Sequence, residues 1–121
     1  MKRILFVEDE PALQKTLGLA LEQEGYEIKS ALDGELGLAL AKELKPDLIL
    51  LDLILPKRDG FEVLDALKNE ESTKEIPVIV LTNLESTQEI ERALAAGATT
   101  YLVKANYDLV EIIKKIRETI K

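Results

Sequence analysis

Five short apolar runs alternate with five stretches of helical periodicity along this chain, and that alternation constrains the fold more than any single residue does. The runs are RILFVE (3–8), YEIKSA (26–31), DLILLD (47–52), IPVIVLT (76–82) and TTYLVK (99–104). The first, third and fourth are nearly continuous in Ile, Leu and Val, as strands covered on both faces must be, whereas YEIKSA alternates and suits an edge. Strands that succeed one another through helices run parallel. The pattern therefore predicts an α/β domain around a parallel sheet.

The helical stretches carry their own start and stop signals. Leu13, Leu17, Ala20 and Leu21 share a stripe that Pro11 opens and Gly25 closes. Leu36, Leu40 and Leu44 form a second stripe ended by Pro46, and a third helix starts near Phe61 and uses Leu64 and Leu67. Ser86 and Glu89 make a capping-box pattern ahead of Ile90, Ala93 and Leu94, with Gly97 as terminator. The last helix begins at about Tyr107 and carries Leu109, Ile112, Ile113, Ile116 and Ile120. No linker, repeat or low-complexity segment interrupts the series. With 121 residues and 46% hydrophobic content, the chain reads as one domain, 1–121, able to bury a core of its own.

Composition narrows the chemistry. Histidine and cysteine are both absent, which removes Ser-His-Asp catalysis, thiolate nucleophiles, disulfides and zinc sites built on those residues. A net charge of -7 argues against direct nucleic-acid binding, because phosphate contacts need clustered Lys and Arg. No apolar span approaches transmembrane length, so the expected location is cytoplasmic, without membrane contact.

In an open parallel sheet, ligands bind beyond the carboxyl ends of the strands, so the residues that close each apolar run matter most. Those are Glu8 and Asp9 after the first run, Asp52 at the third, Thr82 and Asn83 at the fourth, and Lys104 at the fifth. Taken singly, most have a structural use: Glu8 and Asp9 as helix caps, Thr82 as a strand end, Lys104 as a solvated charge. Asp52, set between apolar residues in LILLDLIL, has few such uses. Together they bring three acids, a hydroxyl and a lysine to one edge. Crowded carboxylates repel unless a cation joins them, and an all-oxygen donor set suits Mg2+. Lys104 and Thr82 suit an incoming phosphoryl group, and an aspartate beside a metal and a lysine can attack phosphorus.

Over its whole length the chain resembles the receiver domain of two-component response regulators. The acidic pair in FVEDE, the LLDLILPKRDG block with Pro56, Asp59 and Gly60, the LT ending the fourth run and the YLVK ending the fifth agree with that family in order and spacing. The resemblance implies a flavodoxin-like doubly wound sheet of five parallel strands in order 2-1-3-4-5 flanked by five helices. It also implies that Asp52 accepts a phosphoryl group from a sensor histidine kinase or phosphotransfer protein. Glu8, Asp9, Asp52 and the backbone carbonyl of Ile54 would hold Mg2+, Lys104 would pair with Asp52 and then with phosphoryl oxygens, and Thr82 would move to bind the phosphoryl group. Tyr101 would turn inward as Thr82 moves. The face of the fourth helix, fifth strand and fifth helix would then engage a downstream protein, an output domain or a second copy of the chain. Such a domain is a regulatory phosphoacceptor, not a classical enzyme.

Three positions depart from the family pattern: Glu8 stands where Asp is commonest, Asn83 where a small residue is usual, and Ala105 where a proline usually follows the lysine. A cis bond costs about 2.5–4 kcal/mol before a residue other than proline, so the Lys104–Ala105 peptide is expected to be trans, with Asn106 or Tyr107 opening the last helix. Three rival functions fit these residues less well. A flavin binder needs a hydroxyl- and glycine-rich first loop where this chain has EDEPA. An aspartyl phosphatase needs an acid at Ile54. A phosphorylation-independent interaction module has no need of the full set of polar residues.

Overall fold

The computed structural model describes residues 1–120. In chain order the elements are β1 (Arg3–Val7), α1 (Pro11–Gln23), β2 (Glu27–Ala31), α2 (Gly34–Leu44), β3 (Leu48–Leu51), α3 (Gly60–Asn69), β4 (Val78–Thr82), α4 (Thr87–Ala95), β5 (Thr100–Val103), a 3-10 turn (Lys104–Asn106) and α5 (Leu109–Thr119). The strands pair in parallel in the order β2-β1-β3-β4-β5, with the alternating YEIKSA run at an edge as its pattern predicts.

Period-two alternation splits the apolar strands between two cores. Leu5, Val7, Ile49, Leu51, Val78 and Val80 face α2, α3 and α4, packing on Leu38, Ala41, Val63, Leu64, Leu67 and Ala93. Ile4, Phe6, Leu48, Leu50, Ile79, Leu81 and Leu102 face α1 and α5, packing on Leu17, Leu21, Ile112 and Ile116. Each such side chain, fully buried, contributes about 1.5–3 kcal/mol relative to exposure. The continuous runs of the three central strands are thus explained by helices on both faces.

Three helices differ from the sequence reading in which face or which end they use. On α2 the leucine stripe is not the buried face: Leu36 is exposed, Leu40 and Leu44 are half-buried, and Gly34, Gly37, Leu38 and Ala41 meet the sheet. Small residues win there because the helix lies so close that a Cβ on Gly37 would stand 2.7 Å from Val7 Cγ1. On α4, Ala93 alone is buried, Ile90 is half-buried and Leu94 is exposed. Ser86 does accept the Glu89 N–H at 3.2 Å, but the Glu89 carboxylate takes the Ser86 hydroxyl and not its N–H. The full reciprocal capping box belongs to α5, between Asp108 and Glu111. That cap starts α5 at Leu109, later than Asn106 or Tyr107. The Lys104–Ala105 bond is trans, as expected, and the residues after it form the 3-10 turn.

Glycines mark the closest approaches around β3. A Cβ on Gly60 would lie 2.3 Å from Leu53 Cα and 2.4 Å from Asp52 O, both backbone atoms that cannot swing aside. By contrast, a Cβ on Gly18, inside α1, would meet nothing nearer than Ile28 Cγ2 at 4.0 Å. Gly60→Ala should therefore destabilise the domain in urea by about 1–3 kcal/mol or more through overpacking. Gly18→Ala should stabilise it by about 0.5–1 kcal/mol through helix propensity. Shifts of the same sign in both variants would contradict this packing.

Candidate functional site

The carboxyl ends of β1, β3, β4 and β5 converge on one pocket. β1 runs into Glu8, which is fully buried, and Asp9, which is exposed; β3 runs into buried Asp52. Thr82 ends β4 and is buried, and Lys104 follows β5. The Lys104 ammonium lies 2.7 Å from Glu8 Oε1, 3.0 Å from Asp52 Oδ2 and 3.6 Å from Glu10 Oε1. The second oxygen of each buried acid takes a backbone donor: Asp52 Oδ1 accepts the Ile54 N–H at 3.2 Å, and Glu8 Oε2 accepts the Glu10 N–H at 3.1 Å. Neither Glu8 nor Asp9 caps α1, whose N-cap is Glu10 with its side chain unused for capping.

Charge is unevenly matched here. Burial pushes the Glu8 carboxyl up to about 7, with Lys104 pulling it down and the Asp52 charge pushing it further up. Burial alone would lower Lys104, but the carboxylates of Glu8 and Asp52 outweigh it and hold the ammonium above its ordinary value. One oxygen from each of Glu8, Asp9 and Asp52 lies within 4.8 Å of the others. An excess of carboxylate over cation, with hard oxygen donors only, is a donor set that fits Mg2+ or a similar divalent ion.

A second line of contacts leads away from the pocket. Thr82 Oγ1 accepts the Leu84 N–H at 3.5 Å, and the Tyr101 hydroxyl donates to Leu84 O at 2.7 Å. Burial, reinforced by the charges of Glu89 and Asp52, pushes the Tyr101 phenol up to about 12, so it remains a donor at every physiological pH. Asn83, between the two, is exposed, as is the side chain of Ile54.

Of the residues singled out in the sequence, Glu8, Asp9, Asp52 and Lys104 are brought together, whereas Thr82 and Tyr101 meet through Leu84, and Asn83 and Ile54 are exposed. Two neighbours had gone unremarked. Glu10 stands within ion-pair range of Lys104. Gln14 is a buried polar side chain on the inner face of α1. A polar residue three before Leu17 and seven before Leu21 falls on the buried stripe, which is the signal that could have exposed it.

The sequence profile of the response regulator receiver domain matches residues 4–117. This chain belongs to that family. The receiver domain is 42% identical over 121 residues to the DNA-binding dual master transcriptional regulator RpaA of Synechocystis sp., covering 100% of this chain and 50% of the relative. It thus spans about half the length of that relative. A solved receiver domain protein from Methanospirillum hungatei superposes with a TM-score of 0.92 at 31% identity, covering 99% of this chain and 94% of the other. The receiver domain of sensor histidine kinase PA1611 from Pseudomonas aeruginosa superposes at 0.88 with 29% identity, covering 98% and 97%, and holds a magnesium ion in its active-site cleft. Among the described residues no helix of this receiver domain is long and apolar enough to cross a membrane.

Glu8 supplies a pH test. Its folded-state value near 7 lies above its ordinary 4.5, so the folded protein holds a proton that the unfolded chain has released between those limits. That stabilisation is complete below about 4.5 and is lost as pH rises through about 7. Metal-free protein should lose on the order of 2 kcal/mol of stability between about pH 5 and pH 8, and Glu8→Gln should flatten the dependence. An equally steep curve in the variant would assign the titration to another group.

Proposed function

We propose that Asp52 is the phosphoacceptor of this receiver domain and that the chain works as a phosphorylation-dependent signalling switch in the cytoplasm. The observation that carries the reading is the position of Asp52 at the mouth of the sheet, 3.0 Å from Lys104 and beside Glu8 and Asp9. A carboxylate oxygen of Asp52 attacks the phosphorus of a phosphohistidine on a sensor kinase or phosphotransfer protein. The P–O bond of an aspartyl phosphate forms as the P–N bond breaks, and the imidazole leaves with the electron pair. Lys104 then offers its ammonium to the phosphoryl oxygens, and the Thr82 hydroxyl donates to them.

Glu8, Asp9, Asp52 and the backbone carbonyl of Ile54 would hold Mg2+, whose charge offsets that of the crowded carboxylates and the phosphoryl group. The magnesium ion in the PA1611 receiver domain supports that assignment. In this role the protein promotes its own phosphorylation and dephosphorylation without turning over an external substrate.

The output passes through Thr82 and Tyr101. When Thr82 turns to the phosphoryl group it leaves the Leu84 N–H, and Leu84 also receives the Tyr101 hydroxyl, so the loop ahead of α4 responds to both. The surface that changes is the face of α4, β5 and α5; Leu94 on α4 and Val110 at the start of α5 are exposed apolar residues of those helices. It engages a downstream protein, an output domain or a second copy of the chain.

Asp52→Asn should abolish labelling by acetyl phosphate and leave the fold intact, with intact-mass measurement as the readout. A phosphoryl adduct on that variant in the presence of Mg2+ would remove Asp52 from its role. Chelation should stop labelling of the wild type, and millimolar Mg2+ should raise its melting temperature by mass action. For the output face, Val110→Glu should leave labelling unchanged while suppressing any self-association that phosphorylation induces. Light scattering that still reports the larger species would exclude the α5 side of that face.

A further inference from the structure

The face that α1 turns to the sheet consists of Gln14, Leu17, Gly18 and Leu21, all buried. A buried amide among apolar residues is costly unless it finds partners. Gln14 Nε2 lies 2.8 Å from Phe6 O, 3.1 Å from Glu8 O and 3.2 Å from Ala31 O, so its two N–H donors are shared among three backbone carbonyls. Its Oε1 is buried and has no hydrogen-bond partner among the described residues.

Those carbonyls mark the point where pairing between β1 and β2 runs out. Carbonyls alternate in direction along a strand. Val7 O turns toward β3, where it accepts the Asp52 N–H at 3.0 Å, so Phe6 O and Glu8 O turn toward β2. β2 ends at Ala31, whose carbonyl accepts the Glu8 N–H at 2.9 Å. Glu8 O lies one rung beyond that last bond. The Gln14 amide reaches in from the helix and takes the place of the missing rung.

We propose that Gln14 is a positioning residue for the acid pair. By extending the β1 ladder past the end of β2, it keeps the backbone of Glu8 in line with the strand. Glu8 then meets Lys104, and Asp9 follows at the spacing that brings both within 4.8 Å of the Asp52 carboxylate. Gln14 touches neither a cation nor a phosphoryl group and acts through the Glu8 backbone. A merely stabilising role suits it poorly, because the unpartnered Oε1 offsets what its donors gain, and a methionine of similar length would fill the same space. The inference rests on reading Glu8, Asp9 and Asp52 as a divalent-cation site.

The test compares wild type, Gln14→Met and Gln14→Asn by calorimetric titration with MgCl2 and by the Mg2+ dependence of labelling with acetyl phosphate. In Gln14→Met the Mg2+ dissociation constant should rise roughly tenfold to a hundredfold, as when an outer partner of a metal ligand is lost. Its labelling rate at saturating Mg2+ should stay within about twofold of wild type, because only binding has been weakened. An unchanged dissociation constant in a folded Gln14→Met would overturn the proposal. Should that variant not fold, Gln14→Asn decides by the same two readings, since its amide is one methylene too short to serve all three carbonyls. Wild-type protein that binds no Mg2+ would overturn the cation site and this inference together, whereas wild-type binding matched by both variants would overturn this inference alone.

Discussion

The Lys104 ammonium, facing the carboxylates of Glu8, Asp52 and Glu10, is the interaction on which the rest of the site depends. A single positive charge cannot neutralise that many acids; burial, with a smaller push from the Asp52 charge, holds the Glu8 carboxyl up at about 7 even though Lys104 pulls it down. Folding tolerates it because the strands leave little choice. Glu8 is tied to Ala31 O and Asp52 to Val7 O by backbone bonds of 2.9 and 3.0 Å, and both strands are buried on both faces. Groups held in such an unfavourable electrostatic arrangement respond strongly when the local charge changes, which is the property a phosphorylation switch needs.

Packing is thinnest at α4. β1, β3 and β4 sit under helices on both sides, whereas α4 buries only Ala93 completely. The Arg92 guanidinium lies 3.9 Å from the Phe61 ring centroid, a cation–π contact that ties α4 to the start of α3. α3 in turn begins at Gly60, whose backbone presses on Leu53 and Asp52. From the other side, Tyr101 and Thr82 both hold Leu84, in the loop that leads into α4. The helix with a single buried residue is thus tied on one side to α3, which starts against Asp52, and on the other to the loop that Thr82 and Tyr101 hold, and segments of low local stability are the ones able to move.

Much of this could be read before any coordinates were known, and for identifiable reasons. The order of strands and helices follows from hydrophobic period, a property of local sequence, and the pocket residues stand out because polar side chains interrupt long apolar runs. Asp52 in LILLDLIL is the clearest case. What escaped was set by distance between elements. The buried face of α2 is not its stripe of Leu36, Leu40 and Leu44, because the sheet is near enough that Gly37 has to meet Val7. Gln14 escaped because its partners, Phe6, Glu8 and Ala31, are carbonyls, which no side-chain pattern records.

The junction after β5 shows which effect wins when local cost and pocket geometry compete. A cis peptide before Ala105 would have cost about 2.5–4 kcal/mol, a large part of the roughly 5–15 kcal/mol that holds a domain together. The chain instead keeps the bond trans and turns through a 3-10 segment at Lys104–Asn106. The flexible four-carbon stem of Lys104 reaches the acids from that turn, its ammonium 3.0 Å from Asp52 and 2.7 Å from Glu8. What the turn consumes is helix: α5 cannot begin until Asp108 is free to cap it, and the reciprocal bonds between Asp108 and Glu111, at 2.9 and 3.0 Å, fix that start. A long, flexible cation reaches the buried carboxylates from a turn outside the strand, where a short side chain, tied to the position of its own Cα, would fall short.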